Sequence, residues 1–383
     1  MARTQGHCDA RFGEVQKRFQ EFLESGEELG ASIVVNINGR NVVDIWGGFS
    51  DPNRTRPWTE NTIVNVFSTT KTITSLALLM LVDRGLLDLD AKVAKYWPEF
   101  AENGKHNIEV RHFLTHTSGV PGWERPITIE DVYNVKQSTA RLATQIPWWT
   151  PGTASGYHSL TYGHLNGELV RRTTGKSLKQ FVAEEIAGPL NADFQIGALE
   201  NDWPRIATIV PPPQVAHQPK PEQGSVASKT WEGPSVAANT ANTKGWRQAD
   251  IGAGNGHGNA RSLAHILSAI TLGGQVDGKY LLSPKTIDNI FQEQIHGVDL
   301  VVQQPVRFGM GFGLPGKNTM IDWLPCGQIC LWGGWGGSIV IMDCDRRLTI
   351  SYAMNKMESV GLGSNRTKSY VNAVYTAIGV ASM

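Results

Sequence analysis

The chain has 383 residues, 40% of them hydrophobic and 18% charged, a make-up that suits a globular protein and excludes a disordered one. Its 35 Lys and Arg balance 35 Asp and Glu, so charge gives no reason to expect nucleic acid or an anionic membrane as partner. The length exceeds one ordinary hydrophobic core and predicts one large composite domain.

Phe12, Val15, Phe19, Phe22 and Leu23 recur at helical spacing, so the chain opens with an amphipathic helix. Two β-rich runs follow, 31–37 and 41–46, with Asn38-Gly39 between them as a hairpin signal. A polar loop then leads to Phe67-Ser68, and a long helix is predicted over 68–84, ending at Gly85. Short helices joined by Gly and Pro turns fill 86–200, the clearest over 176–185. From 201 to 258 periodic patterning gives way to Pro, Gly and small polar residues, as in a lid or pocket wall. A helix resumes over 262–270. Runs at 338–342 and 348–352 flank a charged turn and predict a second hairpin, and a final helix covers 369–378.

Hairpins at both ends and helices between them predict an α+β fold. The end hairpins pair in one antiparallel sheet flanked by the terminal helices, about 1–66 and 300–383. A mostly helical lobe spans about 67–299, with the lid-like segment inside it. The active site is expected in the cleft between the two lobes.

The polar start, Met1 to His7, lacks an apolar signal core, and the longest apolar run, Ser75 to Val82, is too short to span a bilayer. A cytoplasmic protein is therefore expected. Cys8, Cys326, Cys330 and Cys344 match no zinc module and read as free thiols. The ten His include no His-Glu-x-x-His, so no metal site is expected. Gly252-Ala-Gly-Asn-Gly-His-Gly258 lacks dinucleotide-binding spacing and reads as a loop; no cofactor is implied.

Ser68-Thr-Thr-Lys71 is the only Ser-x-x-Lys of the chain. A serine hydroxyl at the positive end of a helix, with a lysine one turn on, suits nucleophilic catalysis: a lysine in an apolar cleft loses basicity and can take the serine proton. A serine cap followed by a surface lysine would give the same tetrapeptide. Tyr157 stands in a turn-rich stretch; a phenol beside a cationic lysine would have a stabilised phenolate and could relay protons. In Leu331-Trp-Gly-Gly-Trp-Gly-Gly-Ser338, glycines at the start of a strand imply close approach of a ligand to backbone, with an N–H there completing an oxyanion hole beside that of Ser68.

Ser68-x-x-Lys71, Tyr157-x-Ser159 and Trp332-Gly-Gly334 together resemble the serine β-lactamase/penicillin-binding-protein superfamily, and within it the family VIII carboxylesterases, which are similar to class C β-lactamases. Val66-Phe-Ser-Thr-Thr-Lys71, Phe113-Leu-Thr-His-Thr-Ser-Gly119 and Trp149-Thr-Pro-Gly152 extend the likeness along nearly the whole chain. The resemblance implies an acyl-enzyme on Ser68, with Lys71 and Tyr157 sharing the proton work and either one as base. It also implies an oxyanion hole from the N–H groups of Ser68 and Trp335, and a substrate pocket at Ser159, Trp332, Gly333 and Gly334. It gives His116 a structural role and requires no metal.

Two positions depart from class C β-lactamases: Ser159 replaces an Asn, and Trp332 replaces the Lys that meets a substrate carboxylate. A small neutral or aromatic ester is therefore the expected substrate. An acyltransferase with an alcohol acceptor is the alternative. A β-lactamase or D-peptidase is disfavoured by Ser159 and Trp332, and a non-catalytic binding protein by the retained Ser68, Lys71 and Tyr157.

Overall fold

A computed structural model describes residues 3–213 and 220–380. Its main sheet has six strands: β1 (Gln5–Cys8), β2 (Gly30–Ile37), β3 (Arg40–Gly48), β4 (Ile329–Gly333), β5 (Ile339–Asp343) and β6 (Leu348–Met354), in the spatial order β1-β3-β2-β6-β5-β4. Every neighbouring pair is antiparallel. The two predicted hairpins therefore meet as expected, through β2 and β6, with Ile33 opposite Tyr352. The first hairpin turns at Asn38 and Gly39, both with positive φ, 53° and 83°, the backbone that Asn-Gly supplies at low cost.

Five helices matter for the site: α1 (Gly13–Ser25), α2 (Thr70–Asp83), α3 (Thr161–Thr174), α4 (Ala260–Thr271) and α5 (Asn365–Ala377). The terminal helices α1 and α5 pack together, and Tyr370 of α5 lies 5.3 Å from the Tyr352 ring of β6. Three residues earlier on β6, the Thr349 hydroxyl meets Thr271 of α4 at 3.0 Å. Successive strand residues face opposite sides, so α4 and α5 cover opposite faces of the sheet. That double cover explains why all seven residues of β6 are buried. It also puts α4, inside the range expected for the helical lobe, against β2, β5 and β6.

The helix expected from Ser68 begins two residues later. Thr69, Thr70 and Lys71 donate to the carbonyls of Val66, Phe67 and Ser68, three residues back, so Ser68 sits in a tight turn before α2. All of α2 from Thr70 to Leu81 is buried, as its apolar sequence requires. The helix expected over 176–185 splits into Leu178–Phe181 and a wider π-turn, Val182–Ala187.

The segment 201–258 carries more structure than its composition predicts: helices Val226–Trp231 and Lys244–Gln248, and the strand Gly256–Gly258. This strand pairs with Val64–Asn65 and Phe194–Ile196, and residues 251–258 are buried. Part of this segment, 214–219, lies outside the described residues. β1 was not anticipated; its residues are polar, and it forms by pairing with β3. Among the described residues no helix is long and apolar enough to cross a membrane.

Candidate active site

The strand Val64–Asn65 delivers the chain to Ser68. Val66 N–H donates to the Gly256 carbonyl at 2.9 Å, and Phe67 adopts a positive φ of 44° before the turn. The Thr70 hydroxyl closes this corner, donating to the Phe67 carbonyl at 2.5 Å and accepting the Gly256 N–H at 2.8 Å. A β-branched or aromatic residue at positive φ is strained, and such strain persists only where surroundings enforce it.

One turn into α2, the Lys71 amine lies 3.1 Å from the Ser68 hydroxyl, 2.8 Å from the Ser159 carbonyl and 2.9 Å from the Ala253 carbonyl. Lys71 is 2% exposed, and no carboxylate pairs with it among the described residues. Burial alone holds its pKa well below the usual 10.5. A neutral amine has two N–H bonds and one lone pair. The two carbonyls can take only hydrogens, which leaves the lone pair for Ser68.

Tyr157 comes from the turn that precedes α3. Its ring centroid is 4.8 Å from the Lys71 amine, and its hydroxyl accepts from the Trp332 indole N–H at 3.3 Å. Burial pushes its pKa up to about 12; hydrogen bonds with Ser68 and Trp332 pull it down and the nearby Asp299 charge raises it. Burial therefore works against the stabilised phenolate expected from the sequence. Desolvation drives both partners to their neutral forms, and the lysine cation that would hold a phenolate is itself disfavoured.

The Trp332-Gly-Gly stretch ends β4 rather than starting a strand, and 334–338 forms the tight turn into β5, with Gly334 N–H 2.7 Å from the Ser338 carbonyl. The expected reason for its glycines changes as well. A Cβ on Gly334 would lie 2.2 Å from the Val66 carbonyl oxygen and 2.4 Å from the Ser338 hydroxyl. The close approach is between two protein backbones, which brings the turn beside Ser68. Trp335 projects from it at 38% exposure, its ring 5.6 Å from that of Phe67. Among the described residues, neither the N–H of Ser68 nor that of Trp335 donates to a protein acceptor.

Ser159 joins the site through its carbonyl on Lys71, which its side-chain chemistry could not have announced. His116, at a positive φ of 61°, packs within 5.0 Å of the rings of Tyr157, Tyr162 and Phe308. Its Nδ1 accepts the His158 N–H, and burial keeps its pKa far below 6.5, so it is a neutral filler behind Tyr157. Sequence reasoning missed Ser338, whose hydroxyl bonds Val66 and Thr69 on either side of Ser68, and Asp299, which accepts the Tyr157 N–H. Among the described residues no cluster of three or more His, Cys, Asp or Glu could hold a metal, and the four cysteines are unpaired.

The fold is of the β-lactamase and penicillin-binding-protein kind. A family model described as Beta-lactamase matches residues 15–374, and the chain belongs to that family. Esterase/beta-lactamase LipL of Mycobacterium tuberculosis is 31% identical to it over 369 residues, covering 93% of this chain and 84% of LipL. The crystal structure of a family VIII carboxylesterase superposes with a TM-score of 0.91 at 35% identity, covering 98% of this chain and 99% of its own. A penicillin-binding protein homolog from Caulobacter crescentus gives 0.89 at 34% identity, again over 98% and 99%.

Proposed function

We propose that the chain is a serine carboxylesterase that forms an acyl-enzyme on Ser68, with Lys71 as the base and Tyr157 as the proton donor to the leaving group. The observation that carries this reading is the placement of the Lys71 amine, 3.1 Å from Ser68 Oγ and held by the Ser159 and Ala253 carbonyls; in its neutral form those carbonyls take its two hydrogens and its lone pair faces Ser68. In acylation, Ser68 Oγ bonds to the ester carbonyl carbon as its proton passes to Lys71. The N–H groups of Ser68 and Trp335 hold the oxyanion. The ester C–O bond breaks, Tyr157 gives its proton to the departing alkoxide, and Lys71 returns one to Tyr157. Water repeats the sequence in reverse and frees the acid.

The substrate is a small neutral or aromatic ester. Trp335 offers an exposed apolar face, packed on the buried Phe67, and Trp332 brings no cation for a carboxylate, so β-lactams and peptide carboxylates bind weakly. An alcohol that displaces water at the acyl-enzyme would make the protein an acyltransferase. The exposed Trp335 indole at the site favours this second reading, because it can seat an acceptor's apolar body.

The test is product partition. A short-chain aryl ester is turned over with and without added alcohols, and acid is measured against new ester. Free acid as the main product is the expected result. New ester in excess makes the protein an acyltransferase, and no turnover of any ester overturns both readings.

A further inference from the structure

Asp299 follows the short strand Ile295–Val298 and is 0% exposed. A buried carboxylate is costly unless it is compensated, and among the described residues no cation pairs with it. One oxygen, Oδ1, accepts the N–H groups of Val301 at 2.8 Å and Val302 at 3.0 Å, an ordinary Asx-type turn. The same oxygen also accepts the N–H of Tyr157 at 3.0 Å, across 142 residues of chain. Beside it, Leu300 N–H donates to the Ser155 carbonyl at 2.8 Å, so the two segments are stitched twice. The other oxygen, Oδ2, is buried without a partner. A turn alone would be served by Asn, with no uncompensated charge.

Tyr157 is thus held at both ends, by Asp299 at its main chain and by Trp332 at its hydroxyl. The other titratable groups facing it are Lys71, His116, Tyr162 and, behind His116, His158; burial lowers the pKa of the amine and of both imidazoles and raises that of the Tyr162 phenol. Among the described residues, Asp299 is the one carboxylate whose charge acts on Tyr157.

We propose that Asp299 is a positioning residue for the esterase reaction, gripping the Tyr157 main chain so that the phenol meets the leaving alkoxide and hands over its proton. This rests on the role given to Tyr157 above. The proton leaves the Tyr157 oxygen as the ester C–O bond breaks, and Lys71 supplies its replacement. A loosened Tyr157 harms only leaving groups that need a proton. An aryl oxide with a low pKa departs as the anion, whereas an alkoxide does not.

The experiment compares kcat/KM, which reports acylation, for a nitrophenyl ester and an ethyl ester of the same acid. Asp299→Ala is expected to lose at least about tenfold more on the ethyl ester than on the nitrophenyl ester. Asp299→Asn keeps an acceptor at Oδ1, but neutral hydrogen bonds are weaker than charge-assisted ones, so it should show a smaller loss of the same selective kind. Equal losses on the two esters overturn the proposal, because a merely structural defect lowers both alike. If the alanine variant does not fold, the asparagine variant carries the same comparison with the same two outcomes. Tyr157→Phe is run in parallel. If it is selective and the Asp299 variants are not, the role of Tyr157 stands and that of Asp299 falls. If it is itself unselective, both fall.

Discussion

The Ser338 hydroxyl donates to the carbonyl of Val66 at 2.9 Å and meets the Thr69 hydroxyl at 3.0 Å. It thereby ties the turn that carries Trp335 to the segments on both sides of Ser68. The two N–H groups proposed to hold the oxyanion come from parts of the chain more than 260 residues apart, and this buried clamp sets their spacing. Ser338→Ala should cost about 0.5–1.5 kcal/mol, because it removes the hydroxyl's bonds to the Val66 carbonyl and the Thr69 hydroxyl while the Thr69 N–H still serves that carbonyl. It should also lower kcat more than it raises KM, since an oxyanion hole acts in the transition state. Denaturant melts and steady-state kinetics check the two parts separately.

Gly334→Ala tests the backbone approach itself. The new Cβ would sit 2.2 Å from the Val66 carbonyl oxygen, and backbone cannot swing aside as a flexible side chain can. Loss of stability by about 1–3 kcal/mol or more is expected, with activity falling further than the folded fraction does. Circular dichroism against active-site titration gives the two numbers.

Lys71→Arg puts a permanent cation at this position and cannot supply a lone pair. Activity should drop by about 10²–10⁴-fold, the usual worth of a general base. Were the lysine only an electrostatic anchor, arginine would retain much of the rate. Purified variant and parent are compared on one aryl ester.

The pH profile follows from the same neutral pair. Protonated Lys71 is inactive, so kcat/KM should fall as pH drops through its lowered pKa. Ionised Tyr157 is inactive too, but its pKa is pushed up to about 12. The profile should therefore rise to a plateau that holds to about pH 10. A bell with an alkaline limb near neutrality would contradict the assignment of Tyr157 as donor.

Much of this was legible in the sequence. The Asn38-Gly39 turn and the alternating runs beside it announced one hairpin, and the charged turn at 343–347 the other. Ser68, Lys71 and Tyr157 were found by motif, and the structure brings them together. What stayed hidden were partners whose role depends on contacts distant in sequence. The Ser159 and Ala253 carbonyls leave no trace in residue type. Asp299 shows a local Asx turn in its sequence, but its reach to Tyr157 does not. A neighbouring lysine suggests a cation beside Tyr157, and only the burial of Lys71 shows that its charged form is disfavoured.

The central claim is a covalent acyl group on Ser68. The most direct measurement is intact-protein mass spectrometry after rapid mixing with an activated short-chain ester, followed by peptide mapping. The account predicts one added acyl mass on the peptide holding Phe67-Ser68-Thr69, and none in Ser68→Ala, which should also lack turnover. An adduct on another residue, or a Ser68→Ala protein that hydrolyses the ester as the parent does, would contradict it.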